Sequence, residues 1–279
     1  MTDGSAEIER HYGRGGLLDR ILAALKEAGK DIDHLTIDDL APIDELHSRR
    51  RLATQELARM LAPKPAERVL DIGSGLGGPA RYLAKVCGCR VTGVDLTAEF
   101  VAVAIELARR AGLAAQVEFK QGSALDLPFA DGSFDLAWSQ NVAMNIADRP
   151  RYYAEMRRVL RPGGRLAIQD VAQGPAGAPH YPVMWADTPA TSFLRTPEET
   201  RALLEAAGFK VMTWLDNTDA AIAETEAERA RAVAASGGGP PILGVHLVVG
   251  PSFWDKARNG NRSMRENRIR LINAVLRRD

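Results

Sequence analysis

The segment Val69-Leu70-Asp71-Ile72-Gly73-Ser74-Gly75-Leu76-Gly77-Gly78 carries the strongest signal of fold class in this sequence. Its glycines at 73, 75 and 78 form the G-x-G-x-x-G pattern that follows a strand and opens a helix in nucleotide-binding α/β domains. Because glycine has no Cβ atom, Gly73 and Gly75 let the backbone approach a ligand closely. The pattern alone is compatible with NAD, FAD or another adenosine ligand, so the neighbouring residues must decide among them.

A carboxylate, Asp71, stands two residues before the first glycine of this pattern. A negative side chain at that place repels a pyrophosphate and suits a ligand with a positive group near the loop. S-adenosylmethionine has two such groups, an α-amino group and a sulfonium, and it has no phosphate. The alternative is that Asp71 only braces the turn.

The amino-acid composition limits the classes of protein to which this chain can belong. The chain has 279 residues, 46% of them hydrophobic, which is enough for one large domain with a substantial core. Its 36 Lys and Arg balance 36 Asp and Glu, which disfavours a nucleic acid as the main partner. No apolar run of about 18 residues predicts a membrane span, and the N-terminal segment lacks a signal-peptide pattern. Cys87 and Cys89 are too close for an ordinary disulfide and form no metal-ligand set, so we expect a cytoplasmic protein without a metal.

The order of the predicted elements indicates the fold class. Amphipathic helices at 17–28 and 46–62 come first, and from residue 67 onward short apolar strands alternate with helices. This alternation predicts a parallel sheet covered by helices on both faces. The predicted strands are 68–73, 90–96, 116–122, 134–140, 164–171 and 209–217, and the later predicted helices are 78–87, 98–112, 149–160, 197–208 and 219–234. Two further apolar runs, 242–250 and 269–278, both suit a last strand, and periodicity does not choose between them.

Polar residues at two more strand ends extend the predicted ligand site. Asp95 lies 22 residues beyond Gly73, where a carboxylate can accept both hydroxyls of a ribose. Asp95 could instead cap the helix at 98–112, but this interpretation is less favoured because Thr97 already suits the capping position. Ser123 follows the third strand, where an adenine amino group could be bound, and Leu96 and Leu125 could hold the ring between them.

Five motifs together resemble those of the class I S-adenosylmethionine-dependent methyltransferases, in the order and spacing of that family. They are VLDIGSGLGG (69–78), VTGVDLT (91–97), QGSALDLPF (121–129), FDLAWSQNVAMNI (134–146) and VLRPGGRLAIQD (159–170). The resemblance implies a Rossmann-like, doubly wound α/β sheet of seven strands with an antiparallel last strand, and so favours 269–277 for that strand. It also implies a helical N-terminal cap or lid at 1–63 and a core at 64–279. That core would carry a substrate-side insert at 172–195 and a helical insert at 217–266.

The resemblance also implies which residues bind the cofactor. They are Tyr12, Asp71, Gly73, Ser74, Gly75, Asp95, Leu96, Ser123, Ala124, Leu125, Ser139 and Gln140. Tyr12 would close over the cofactor as a lid, or else be an ordinary packing aromatic. Ser123 stands where many relatives have an acid, so this sequence departs from the family pattern there.

The function implied is transfer of a methyl group from S-adenosylmethionine, by in-line displacement, which leaves S-adenosylhomocysteine. The sequence is closest to the small-molecule branch, which includes sterol, tocopherol and sarcosine/dimethylglycine methyltransferases, so an amine nitrogen or an activated carbon is the expected acceptor. Two alternatives stay open at this point: a nicotinamide-dependent oxidoreductase, and a catalytically silent cofactor-binding scaffold. We expect no nucleic-acid or membrane partner, and a monomer or homodimer.

Acceptor-side residues are predicted from their positions outside the sheet. His47, His180 and Tyr181 are the candidate general bases, although His47 could instead cap a helix and His180 could be a solvated loop residue. Substrate contacts are predicted for Asn141, Met144, Asn145 and Trp185, the alternative being that the aromatic residue only seals a lid. The basic segment 256–270 could attract an anionic substrate or another subunit, but we interpret it as a solvated helix face.

Overall fold

The computed structural model describes residues 15–236 and 242–279, so Tyr12 lies outside the described residues. Within them, seven strands form one sheet in the spatial order 3-2-1-4-5-7-6. They are β1 Arg68–Ile72, β2 Arg90–Asp95, β3 Val117–Gln121, β4 Phe134–Gln140, β5 Leu160–Gln173, β6 Phe209–Asp216 and β7 Ile269–Arg278.

Ten α-helices accompany the sheet in the described part of the chain. They are α1 Leu17–Glu27, α2 Ile37–Asp44, α3 Arg50–Leu61, α4 Gly78–Cys87, α5 Ala98–Arg110, α6 Arg149–Val159, α7 Pro197–Ala206, α8 Thr218–Ser236, α9 His246–Val249 and α10 Phe253–Arg265. Short 3₁₀ turns occur at Ala143–Asn145 and Pro189–Thr191. Across the described ranges, no helix combines the length and the apolar character that a membrane span requires.

Strand directions confirm the predicted seven-stranded, Rossmann-like architecture. Strands β1 to β5 run parallel to one another, whereas β7 is antiparallel to both β5 and β6. The last strand is therefore the apolar run at 269–278. The other candidate, 242–250, contains the short helix α9, whose Val248 packs against the N-terminal helices.

Burial on both faces explains why the central strands are almost continuously apolar. Along β1, Val69 packs with α3, α4 and α5, whereas Leu70 and Ile72 belong to the core that α6 and α7 cover. Adjacent residues of a strand point to opposite faces, so a sheet with helices on both sides leaves no exposed side to carry polar residues.

Two local differences from the predicted elements have physical causes. Residues before α3 form a separate helix, α2, whose N-terminus is fixed by a capping box between Thr36 and Asp39, so the predicted helix at 46–62 begins only at Arg50. Strand β5 begins at Leu160 rather than 164. Leu160 pairs with Phe134 and Arg165 with Leu136, so the residues between them form an irregularity in the strand rather than a turn before it.

Candidate functional site

A cavity of about 400 Å³ opens at the carboxyl ends of β1, β2, β3 and β4. Ligands of open α/β sheets bind at these ends. Its walls come from the glycine-rich loop, from residues 44–47 of the N-terminal helices, from the segment after β4, from the insert after β5 and from α9 and α10.

The glycine-rich loop is held close to the sheet and leaves no room for side chains. The Gly73 and Ser74 amides both donate to the Val94 carbonyl, at 2.7 and 3.0 Å. Gly73 has a φ of 74°, and a Cβ atom there would lie 2.2 Å from Val142 Cγ2. Only glycine satisfies both the left-handed backbone and this contact.

Asp71 presents a buried carboxyl group to this cavity. Its side chain lies at the end of β1, and its Oδ2 has no hydrogen-bond partner among the described residues. Burial, together with repulsion from Asp95 and Glu45, raises the pKa of Asp71 to about 8. The hydroxyl of Ser74 is also buried without a partner in the described part of the chain. Burying a polar group without a hydrogen-bond partner costs free energy, so these two groups indicate that a bound ligand supplies their partners.

Asp95 is positioned by the loop itself. One carboxyl oxygen accepts the Gly75 amide at 2.8 Å and the other accepts the Thr97 amide at 2.9 Å. Burial raises the pKa of Asp95, and these backbone hydrogen bonds oppose that rise. Each carboxyl oxygen can accept a second hydrogen bond, so both remain available to a pair of hydroxyl groups.

The predicted adenine-binding residues lie together on the β2 and β3 side of the cavity. Leu96, Ser123, Ala124 and Leu125 all line it. The Ser123 hydroxyl oxygen accepts the Leu125 amide at 3.1 Å, so its own proton is available for donation. This lobe is therefore mainly apolar and offers the Ser123 hydroxyl as a donor, which suits a flat heteroaromatic ring.

Gln140 reaches the cavity, but Ser139 does not line it. The Gln140 side-chain oxygen accepts the Trp138 indole N–H at 2.8 Å, and its amide donates to Gln169 at 2.7 Å. Ser139 is fully buried on the opposite face of β4, where its hydroxyl hydrogen-bonds Tyr152 at 2.7 Å. The alternation of side chains along a strand explains why only one of these neighbours lines the cavity.

His47 is the one candidate base that lines the cavity. Its Nε2 lies 2.9 Å from the Arg50 carbonyl and 3.1 Å from the Thr54 hydroxyl. A carbonyl can only accept, so Nε2 carries the proton and Nδ1 carries the lone pair of the neutral ring. Burial lowers the pKa of His47 to about 4, which keeps the ring neutral near pH 7.

The structure places the other two candidate bases away from the cavity lining. His180 Nε2 lies 2.6 Å from Glu266 Oε2, and its amide donates to the Ser263 hydroxyl on α10. Tyr181 packs against an apolar cluster that includes Val183 and Leu271. Both residues hold the insert after β5 against the body of the protein, so the geometry does not support either as a base.

The four predicted substrate contacts, Asn141, Met144, Asn145 and Trp185, all line the cavity. The Asn145 amide nitrogen donates to the carbonyls of Trp185 and Thr191, at 2.8 and 3.1 Å. This side chain therefore joins the segment after β4 to the insert after β5. Because the indole N–H of Trp185 donates to Ser192 at 2.9 Å, the aromatic residue is held in place as part of the wall.

Sequence reasoning missed the wall residues that come from distant parts of the chain. Asp44, Leu46, Val245, Val248, Val249 and Lys256 line the cavity together with the motif residues. Asp44 is buried with one oxygen 2.7 Å from Arg81 Nη2, and its other oxygen has no partner among the described residues. For Lys256 there was a signal, the basic segment, but our interpretation of the whole segment as solvated is wrong at this residue, whose side chain is 1% exposed.

The residues present fit S-adenosylmethionine better than a dinucleotide. The cavity presents buried carboxyl oxygens at Asp71 and Asp44 beside the loop where a dinucleotide would place its pyrophosphate. Carboxylates stabilise an ammonium or sulfonium and repel a phosphate. The loop glycines, Asp71, Asp95 and the apolar lobe around Leu96 would hold the methionine, ribose and adenine parts.

Comparison with known proteins agrees with this fit. A model of the Methyltransferase domain family matches residues 70–168. The sarcosine/dimethylglycine N-methyltransferase of Halorhodospira halochloris is 33% identical over 221 residues, which are 77% of this chain and 77% of that protein. Two other methyltransferases are 39% and 36% identical to this chain over the matched residues. Those residues cover only 48% and 23% of the two proteins' own lengths.

Solved structures extend the similarity over the whole chain. A geranyl diphosphate C-methyltransferase from Streptomyces coelicolor A3(2) superposes with a TM-score of 0.72 at 20% identity, covering 100% of this chain and 99% of that one, which bears on the fold alone. The [4+2]-cyclase SpnF superposes with a TM-score of 0.65 at 25% identity, covering 94% and 95%. None of these matches supports the nicotinamide-dependent alternative.

Proposed function

The chain belongs to the S-adenosylmethionine-dependent methyltransferases, and on that premise we propose that it methylates a small molecule. The observation that carries the proposal is the buried carboxyl group of Asp71 at the glycine-rich loop, whose Oδ2 has no partner among the described residues. Once ionised, this group favours a cationic ligand over a phosphate. The acceptor would enter between the N-terminal helices and the insert after β5, where Met144, Trp185 and His47 line the same cavity.

The cofactor and the residues of the cavity have separate roles in methyl transfer. When bound, S-adenosylmethionine supplies the methyl group and a sulfonium that leaves readily. The protein then has to orient the acceptor, exclude water and take a proton where the acceptor has one to lose. Met144 and Trp185 provide apolar walls, and the Nδ1 lone pair of the neutral His47 ring is an acceptor that remains unprotonated near pH 7.

Replacing His47 by glutamine should reduce methyl transfer strongly without affecting cofactor binding. General bases contribute about 100-fold or more to a rate, so we expect kcat to fall by about 100-fold. Glutamine can still donate to the Arg50 carbonyl but has no basic nitrogen. Kinetics with the identified acceptor, and calorimetry with S-adenosylhomocysteine, measure the two effects separately.

His34→Gln is the matched control for this variant. The His34 side chain is 85% exposed and pairs with nearby Asp31, so its replacement should leave kcat unchanged. In the wild type, kcat should be level from pH 6 to pH 8, because a base with a pKa of about 4 is already unprotonated there. A rate that survives His47→Gln would show that the acceptor needs no base.

A screen of small-molecule acceptors tests the reaction itself. The protein is incubated with S-adenosylmethionine and a panel of amines, phenols, carboxylic acids and activated carbons. We expect release of S-adenosylhomocysteine together with one product heavier by a methylene group. The structural similarity to the [4+2]-cyclase SpnF favours a second candidate function. In that case the chain would bind the cofactor without transferring its methyl group. Binding of S-adenosylhomocysteine with no transfer to any acceptor would support that candidate.

A further inference from the structure

Asn141 follows strand β4 directly and has an unusual backbone conformation. Its amide donates to the Gln169 carbonyl on β5 at 2.7 Å. Its φ is 53°, in the left-handed region that residues other than glycine adopt rarely. Of the non-glycine residues with positive φ in the described ranges, Asn141 alone lines the cavity. Backbone conformations of this kind are concentrated at functional sites, so Asn141 is a candidate for a role in the cavity.

The side-chain oxygen of Asn141 is buried without a hydrogen-bond partner. Its Nδ2 lies 3.4 Å from Ser48 Oγ, which is a long and weak hydrogen bond. Its Oδ1 has no partner among the described residues. An amide oxygen can accept two hydrogen bonds, and burying it with none costs free energy. Because Asn141 lines the cavity, a bound molecule with an N–H or O–H group can supply the missing donor.

The contacts on either side of Asn141 indicate which molecule supplies this donor. The next residue, Val142, packs on the glycine-rich loop, where its Cγ2 lies 2.2 Å from the place that a Cβ atom of Gly73 would take. On the other side, Asn141 reaches Ser48, the neighbour of the candidate base His47. The loop would hold the methionine part of the cofactor, and His47 lines the region that the acceptor would enter. Asn141 therefore lies where the two ligands would meet.

We propose that Asn141 Oδ1 accepts a hydrogen bond from the reacting group of the acceptor, which is therefore an N–H or O–H group and not a carbon atom. This inference rests on the proposed function and specifies the substrate class of the same site. The hydrogen bond leaves a lone pair of the nitrogen or oxygen free to face the methyl group. In the transfer, that atom forms its bond to the methyl carbon as the bond from this carbon to sulfur breaks, and its proton passes to Nδ1 of His47.

Pairs of small molecules in which methyl groups replace the donor hydrogens test this proposal. The pairs are naphthol with methoxynaphthalene, hexanol with methoxyhexane, and aniline with N,N-dimethylaniline. Binding is measured by NMR titration with the cofactor side occupied by S-adenosylhomocysteine. In Asn141→Gly we expect the affinity ratio of donor to methylated member to fall about three-fold to ten-fold in at least one pair, because one neutral hydrogen bond is lost. A fall in the aniline pair alone would identify an N–H acceptor, and a fall in a hydroxyl pair an O–H acceptor.

Two further variants separate the hydrogen bond from general effects on folding. Glycine keeps the left-handed backbone at position 141, so Asn141→Gly removes the side chain without strain. Asn141→Asp retains an oxygen acceptor and should keep the wild-type ratio. Asn267→Gly is the matched control, since Asn267 also has a left-handed backbone, with φ 60°, and does not line the cavity. It should leave every ratio unchanged.

Four contrary results would overturn the proposal. They are no binding of any pair to the wild type, unchanged ratios in Asn141→Gly, an equal fall in Asn141→Asp, and methylation only at carbon in the acceptor screen. Calorimetry with S-adenosylhomocysteine on the same samples separates this failure from failure of the proposed function. If S-adenosylhomocysteine binds and the ratios do not change, only the assignment to Asn141 fails. If the wild type does not bind S-adenosylhomocysteine, the proposed function itself fails.

Discussion

Replacing Asp71 by asparagine should lower the affinity for S-adenosylhomocysteine by about 30-fold or more and, at the same time, stabilise the ligand-free protein at pH 8. The first effect follows because removal of one partner of a buried charged pair costs about 2–5 kcal/mol, and about 1.4 kcal/mol corresponds to ten-fold in affinity. Titration calorimetry measures the affinity, and thermal unfolding measures the stability.

The second effect is a consequence of the raised pKa of Asp71. Its pKa is about 8 in the folded protein, against an ordinary value of 3.8. Between these pH values the folded state binds more protons than the unfolded state, so the free energy of unfolding falls as the pH rises from 4 to 8. Asparagine does not titrate. We therefore expect the variant and the wild type to have similar Tm values near pH 4, and the variant to be about 5 °C or more higher at pH 8.

Two comparisons make this prediction specific. Asp126→Asn changes an exposed carboxylate near the same strand ends, and it should alter neither affinity nor stability. Methylthioadenosine lacks the amino-acid part of the ligand, so Asp71→Asn should bind it as the wild type does. Equal affinity of variant and wild type for S-adenosylhomocysteine would mean that Asp71 only braces the turn.

Arg81→Met should destabilise the protein by about 3–5 kcal/mol, because it leaves the buried Asp44 carboxylate without its partner. Arg81 is fully buried on α4, and its Nη2 donates to Asp44 and to the Leu76 carbonyl, each at 2.7 Å. This pair joins the N-terminal helices to the helix that follows the glycine-rich loop. Thermal or denaturant unfolding should show a Tm lower by about 10 °C.

The pH dependence and a double variant test the cause of this loss. Burial raises the pKa of Asp44, so in Arg81→Met protonation should partly relieve the loss at pH 5 compared with pH 8. Asp44→Asn combined with Arg81→Met removes both charges and should recover part of the stability. Arg109→Met, which breaks a surface pair with Glu106, should leave the unfolding free energy almost unchanged. A similar loss in both arginine variants would contradict the account.

Most of the sheet could be predicted because its signals are local. Helix α4 and strand β4 have the predicted limits. Gly78-Pro79 and Gly88 mark the ends of the helix, and the mainly apolar segment Phe134–Trp138 marks the strand. Helix α2 was missed: it has only eight residues, with Pro42 inside, and its one signal was the capping box at Thr36. Its stability comes from Leu40 and Ile43 packing against distant helices, which no local pattern reveals.

The candidate site also contains residues that the sequence could predict and residues that it could not. Asp71, Asp95 and Ser123 could be found because a parallel sheet brings the carboxyl ends of its strands together. Lys256 could not be separated from its basic neighbours, since the difference is burial against a segment about 70 residues earlier, at Asp187. His180 was predicted as a candidate base, but its imidazole lies 2.6 Å from Glu266, on the chain after α10, and this long-range contact has no local signal in the sequence.

The central claim, that Asp71 ionises to receive a cationic ligand without a phosphate, is tested most directly by counting protons. S-adenosylhomocysteine is titrated into the wild type at pH 7 in two buffers of different ionisation enthalpy. Because a carboxyl group with a pKa of about 8 is about nine-tenths protonated at pH 7, binding should release about 0.9 proton. Methylthioadenosine should release none. Binding of S-adenosylhomocysteine without proton release, or binding of NAD in its place, would contradict the account.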